Sequence, residues 1–224
     1  MLRKFVLIPF IKIQELRLKR KLSNKDAKVE LRNPFIKVSI VKEKNATFIV
    51  NGTLKFYDFT AGGNNLIQIY LARDSTFRID GDFIIGRGVK ITVEKGGLLY
   101  IGGDKDALES GISCDSRIMV SKKVIIGKDF GCAWNVFITD CDWHYIEYDG
   151  KPNPMQSDVI IGDHVWICPD CSILKGTVIK DDSIIGTKSL LSGKTYPANS
   201  LIAGIPAKVV ESKVKWTRDL SKRI

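Results

Sequence analysis

The sequence predicts an all-β chain wound as a parallel β-helix, and three observations predict it. An aliphatic side chain returns at every sixth position through Ile161, Ile167, Ile173, Ile179, Ile185 and Leu191. Four residues after these guide positions, and after Ile85, comes a small or β-branched residue in most units: Val89, Val165, Cys171, Thr177, Ser183, Ser189 and Thr195. Gly directly follows several guide residues, as in Ile85-Gly86, Ile126-Gly127, Ile161-Gly162 and Ile185-Gly186. Six is a multiple of the strand repeat of two and fits no helical repeat. Each unit therefore reads as a short strand plus a tight turn, with Gly permitting the turn its backbone angles. Three units close one triangular coil of about eighteen residues, and coils stack ~4.7–4.9 Å apart with parallel strands along each face.

The elements follow in order. Residues 1–30 form a basic amphipathic segment carrying, over residues 1–28, nine Lys/Arg against Glu15 and Asp26. It reads as a helix packed on the protein body. Its apolar run from Phe5 to Ile13 contains Pro9 and Lys12, no small-residue cleavage site follows, and it is too short and charged to span a bilayer. A second reading makes it a peripheral membrane anchor, with Phe5, Leu7, Phe10, Ile13 and Leu16 entering the headgroup layer. Residues 31–210 form the β-helix. Its earlier register sets are Ile79, Ile85 and Ile91, then Cys114, Val120, Ile126, Cys132 and Ile138, with "AGGNN" at 61–65 as a turn leading in. The position near Pro197 should stack on Ile179 and Ile161. Residues 211–224 are expected to form a C-terminal helix.

The net charge of +10 sits at the two ends, +7 over residues 1–28 and +4 over residues 208–224. Basic ends suit a polyanionic partner, an anionic membrane surface or a phosphate-bearing ligand. Five cysteines without a regular framework argue for a reducing compartment, so a cytoplasmic site is expected, at the inner face of the membrane if the anchor reading holds. Cys168 and Cys171 form a C-x-x-C, but no second pair lies at zinc-ribbon spacing, and the cysteines read as core thiols.

The register fails most at "TDCDWHYIEYDGKPNPMQSD", residues 139–158, where Asp140, Asp142 and Trp143 are poor wall residues and Gly150, Pro152 and Pro154 mark a loop extruded from the coil. Breaks in a regular scaffold are where chemistry is expected. The loop holds one of only two histidines, His144 and His164.

"IGDHVWIC", "ILKGTVIKDDSIIG" and "IAGIPAKVV", with the unbroken register of 159–210, resemble signature segments of the hexapeptide-repeat acyltransferases. The resemblance spans residues 79–210 and implies a left-handed helix; handedness rests on it alone, since most parallel crossovers are right-handed. It implies an acetyltransferase that moves an acetyl group from acetyl-coenzyme A to a sugar hydroxyl, resembling bacterial capsule and lipopolysaccharide modifiers. A hydroxyl is a weak nucleophile, and imidazole is the side chain whose ionisation lies nearest neutrality. The segment "TDCDWH" matches the family's acidic segment ending in histidine, which makes His144 the general base, with Asp142 or Asp140 orienting its ring. His164 reads as a solvated corner residue. Trp166 matches a position bordering the acyl or acceptor pocket, and Trp143 is a second substrate-binding candidate. Thr187, Lys188, Gly204 and Lys208 stand where the family holds coenzyme A, although Thr187 and Lys188 are bulkier than the usual Gly-Ala-Gly-Ser. No metal is expected, because a carbonic-anhydrase-like site needs three histidines. The implied partners are a carbohydrate or lipid-linked sugar acceptor and two further copies in a homotrimer, not nucleic acid. The alternatives are an N-acyltransferase for an amino sugar and a non-catalytic β-helix scaffold.

Overall fold

A computed structural model describes residues 2–58, 66–103, 110–219 and 221, with side chains from residue 8 onward. Among these, strands stack into three sheets of nine, seven and seven members, parallel throughout but for the last strand of the first, which make the three walls of a triangular prism. The first face starts at Lys28–Leu31, the second at Val38–Lys42 and the third at Thr47–Asn51. The chain visits the faces in that order, turn after turn. The period-six residues line the interior in register: Ile126 on Ile161 on Ile179, Cys132 on Ile167 on Ile185, and Ile138 on Ile173 on Leu191. All of them are buried.

The helix begins earlier than expected. Lys28–Leu31 already pairs in parallel with Thr53–Tyr57, so residues 28–57 belong to it, and Phe48, Phe56 and Phe77 fill wide early coils with aromatic volume. The turn expected at 61–65 lies outside the described residues.

Three register details differ from expectation. Upstream of Ile126 the ladder runs through Ile118 and Ile112, not Val120 and Cys114. The strand Arg117–Val120 buries two side chains, Ile118 and Val120, so the corner after it absorbs the extra residues. Downstream, Tyr196 stacks on Ile179 and leaves Thr195 exposed, because the corner after Leu191 is one residue shorter. Finally, the glycines after guide residues are not there for unusual backbone angles. A Cβ on Gly127 would lie 2.3 Å from Asp163 Oδ1, and one on Gly162 would lie 2.2 Å from Asp181 Oδ1. Stacked corners approach too closely for any side chain. Among residues other than glycine, the positive backbone angles fall mostly on Asp and Asn, including Asp115, Asp129, Asn135, Asp170, Asp182 and Asn199, residues whose short polar side chains tolerate that region. Asn135 Nδ2 also donates to Asp170 Oδ1 at 3.0 Å, linking corners one coil apart.

Both ends are capped. The N-terminal segment forms one helix, Leu2–Lys19, with Pro9 inside it. Its Ile11 and Leu18 pack on the core, and buried Glu15 accepts the free edge N–H of Leu31 at 3.0 Å while pairing with Lys12. Asn24 closes another edge like a strand residue, bonding both the N–H and C=O of Val50. Open sheet edges invite pairing with other chains, and these contacts blunt them. At the far end Ala207–Ser212 folds back antiparallel on Ser200–Gly204.

The expected C-terminal helix over 211–224 is corrected by the described residues. The strand Ala207–Ser212 continues into an irregular strap through residue 219. Lys213 takes a positive φ of 62°, and Trp216 and Arg218 are spent on contacts with the β-helix. A segment this short has little helical stability of its own, so those contacts decide its path. Among the described residues no helix is long and apolar enough to cross a membrane, which says nothing of β-barrels.

Candidate active site

The extruded segment 139–158 is a β-hairpin, Ile146–Tyr148 against Lys151–Asn153. It leaves at the corner between the second and third faces. Its root is tied down closely. Asp140, fully buried, accepts backbone N–H bonds from Ser121, Lys122 and Lys123 at 2.7, 2.7 and 2.6 Å. That carboxylate anchors the coil below and orients no histidine. Asp142 pairs with Lys175 Nζ at 2.5 Å and accepts from Asn153 at 3.3 Å, while the same Lys175 donates to the Pro154 carbonyl. Both carboxylates expected near the His144 ring are thus engaged elsewhere. Where the hairpin rejoins the wall, Asp158 bridges Lys122 and Lys123 at 2.9 and 2.5 Å. Burial pushes its carboxyl up, but those two ammonium groups outweigh burial and hold it below its ordinary value.

On this root, His144 is exposed. Its neighbour Trp143 sits in the left-handed region at φ 64°, a conformation that costs a bulky side chain energy and is concentrated at functional sites. The Trp143 indole N–H is buried without a hydrogen-bond partner among the described residues. Tyr145 and Tyr148 stand out from the same hairpin.

Trp166 lies elsewhere, on the first face. It borders a groove of about 500 Å³ whose floor is Gly111 and Gly131 and whose walls include Ile84, Trp134 and Trp216. Outward glycines on adjacent strands leave a recess that any side chain would fill. The C-terminal strap crosses it: a Cβ on Gly131 would meet Arg218 at 2.7 Å. Arg218 pairs with Asp129 and lies over the Trp216 ring at 5.4 Å.

His164 is no solvated corner residue. Its Nδ1 is 2.9 Å from Asp182 Oδ1, its Nε2 3.6 Å from Asp129 Oδ2, and its ring stacks on Trp216 with centroids 4.0 Å apart. Its carbonyl accepts the Trp216 indole N–H at 3.2 Å. This histidine clasps the strap. Thr187 and Lys188 are exposed at the corner between first and second faces, and Gly204 and Lys208 are exposed on the terminal antiparallel pair next to it. Ser189 Oγ joins the two places, accepting the Gly204 N–H and donating to Gly186 O.

Within one chain, then, the predicted residues fall into two groups. His144, Asp142 and Trp143 share the hairpin, and Trp166, Thr187, Lys188, Gly204 and Lys208 share the first face and its following corner. The second face separates them. Sequence reasoning missed Lys175, Trp134, Trp216 and Arg218. A lone tryptophan in a basic tail was the one visible signal, and nothing periodic marked the others. All five cysteines are free, and burial pushes the Cys132 and Cys171 thiols up, as core thiols require.

Residues 158–193 match the family model "Bacterial transferase hexapeptide (six repeats)". WbbJ of Escherichia coli (strain K12), described as an O-acetyl transferase of lipopolysaccharide biosynthesis, is 26% identical over 152 residues, covering 63% of this chain and 74% of that one. Among solved structures, the polysialic acid O-acetyltransferase OatWY superposes with a TM-score of 0.53 at 25% identity, covering 81% of this chain and 93% of the other. The polysialic acid-specific acetyltransferase NeuO superposes at 0.57 with 23% identity, covering 84% and 85%, and shares the fold. With the period-six core, the three parallel faces and these matches together, the chain is a left-handed parallel β-helix protein, similar over residues 158–193 to the bacterial hexapeptide transferases and, over most of its length, to bacterial O-acetyltransferases of surface polysaccharides.

Proposed function

We propose that this protein is an O-acetyltransferase that moves an acetyl group from acetyl-coenzyme A to a sugar hydroxyl in surface polysaccharide biosynthesis, with His144 as general base. The observation that carries the reading is the hairpin. It interrupts an otherwise regular wall, its root is fixed by Asp140 and Lys175, and it holds an exposed histidine beside a strained tryptophan. The relatives' names, which speak of lipopolysaccharide biosynthesis and of polysialic acid, support the acceptor class, a surface polysaccharide, and the reading extends it to a lipid-linked precursor.

The residues on the first face and its corner suit the donor. Exposed Lys188 and Lys208 offer cations for phosphate groups, Thr187 a hydroxyl, and a Cβ on Gly204 would meet only Pro206 O at 3.5 Å, so backbone can approach closely there. Bound acetyl-coenzyme A supplies an activated thioester carbonyl. His144 takes the proton of the acceptor hydroxyl as that oxygen bonds to the acetyl carbon. The carbon–sulfur bond then breaks, and the departing thiolate takes up the proton from His144. Trp166 and Trp134, both exposed, offer aromatic faces to a sugar or an acyl group, while the Trp216 ring is engaged by His164 and Arg218. Asp142, held by Lys175, positions the hairpin and not the imidazole.

Since the two groups lie on different sides of one prism, the reading requires a second copy: the hairpin of one chain closes over the first face of its neighbour, and a cyclic trimer completes three such sites. The expected compartment is the cytoplasm, where a lipid-linked acceptor would be met at the membrane face. The direct test is coenzyme A release with acetyl-coenzyme A and a panel of glycans. His144→Ala should lower turnover by ~10²–10⁴ while donor binding and thermal melting are kept. A folded variant with wild-type turnover would remove His144 from the mechanism.

A further inference from the structure

Over its described side chains, from residue 8 onward, the N-terminal helix Leu2–Lys19 has two faces, and packing accounts for only one. Ile11, Glu15, Leu18 and, just beyond the helix, Leu22 turn inward at spacings of four, three and four. On the opposite side Phe10, Ile13, Leu16, Arg17 and Arg20 follow the same helical spacing and are exposed. An apolar stripe facing water on the outside of a cap has no folding purpose. A second element joins it: Phe35, in the loop before Val38–Lys42, is 78% exposed. Phe10 and Phe35 line one groove of about 930 Å³ that also includes Arg17, Pro34 and Leu66.

Charge identifies the occupant. Arg17 and Lys37 line the groove with Phe10 and Phe35, exposed Arg20 follows three residues after Arg17, and Lys19 and Lys21 add cations to the same stretch of chain, while Glu15, the acid on the helix, is buried and paired with Lys12. Protein–protein interfaces are depleted of lysine at their cores and draw on complementary charge. An apolar stripe among cations is the pattern of a helix lying in the plane of an anionic bilayer.

We infer that the outer face of this helix, together with Phe35, is a docking surface for an anionic membrane, which holds the β-helix end-on with its N-terminal cap against the headgroups. The inference goes beyond acetyl transfer and is tested without it. Full-length protein is sedimented with vesicles of phosphatidylcholine alone and with vesicles containing about one third phosphatidylglycerol. It should pellet with the anionic vesicles, weakly with the neutral ones, and less as salt rises. The double variant Phe10→Glu, Phe35→Glu should bind at least about tenfold more weakly while melting like wild type, and Tyr148→Glu on the distant hairpin should bind as wild type does. Wild-type protein left in the supernatant, or a double variant that pellets equally, would overturn the inference. So would a double variant that dissociates a lipid-free oligomer of a wild type that ignores vesicles, since that result assigns the face to a second copy of the chain.

Discussion

Replacing Asp140 with Ala would leave the amides of Ser121, Lys122 and Lys123 without their acceptor, while Asp142, two residues on, releases only a lysine and an asparagine side chain. Bonds to a charged acceptor are the strong ones. Asp140→Ala should therefore cost about 3 kcal/mol. In a chain of this size that is a drop in Tm of roughly 6–12 °C by calorimetry. A variant that melts within 2 °C or so of wild type would show that the three amides find other partners. At this scale the sequence was partly legible. The break in the register exposed His144 and both aspartates as unusual wall residues. It could not divide their roles, because the Asp140 partners lie 17–19 residues upstream and the Lys175 partner lies one coil later. The His164 environment was hidden for a similar reason. Its stacking partner Trp216 is 52 residues away, in a tail without any repeat.

The hairpin is the element on which the proposed function turns, and its hold on the prism can be loosened without touching its tip. Lys175 is largely buried and ties both strands of the root, through Asp142 on one side and the Pro154 carbonyl on the other. Lys175→Met keeps the stem and removes both bonds. It should lower turnover by about tenfold or more, through a misplaced base. The melting temperature should fall less than for Asp140→Ala, and Lys175→Arg should recover part of the rate. Equal turnover in Lys175→Met would mean that the hairpin needs no anchor. The strands themselves were the most legible part of the molecule. In 159–191 each corner has the same length, so a fixed period reports the buried residue directly. Earlier coils escape the pattern because their corners vary: Val50 stacks on Ile79 but Ile101 on Ile126, separations of 29 and 25 residues against 18 for Ile161 and Ile179. Aromatic packing replaces the isoleucine ladder there, and no sequence period marks it.

For the whole molecule, the separation of His144 from Trp166 and the late coils sets a test that one chain cannot pass alone. Chains bearing His144→Ala and chains bearing Trp166→Ala should each be poor enzymes. Refolded together, they should regain activity, because some clefts then receive the intact hairpin of one chain and the intact first face of another. Light scattering of the wild type should report three copies. A monomer, or mixtures no better than their parents, would place the whole site within one prism. The stacking of coils has a further consequence if the N-terminal cap rests on a bilayer. Along the second face the strand Phe137–Thr139, from which the hairpin departs, is four rungs on from Val38–Lys42. At ~4.8 Å per rung that is about 19 Å of standoff, fixed by backbone hydrogen bonds and insensitive to side-chain substitution. The β-helix then acts as a ruler: sugars next to a lipid anchor pass beneath the base, and only a glycan already several units long reaches it.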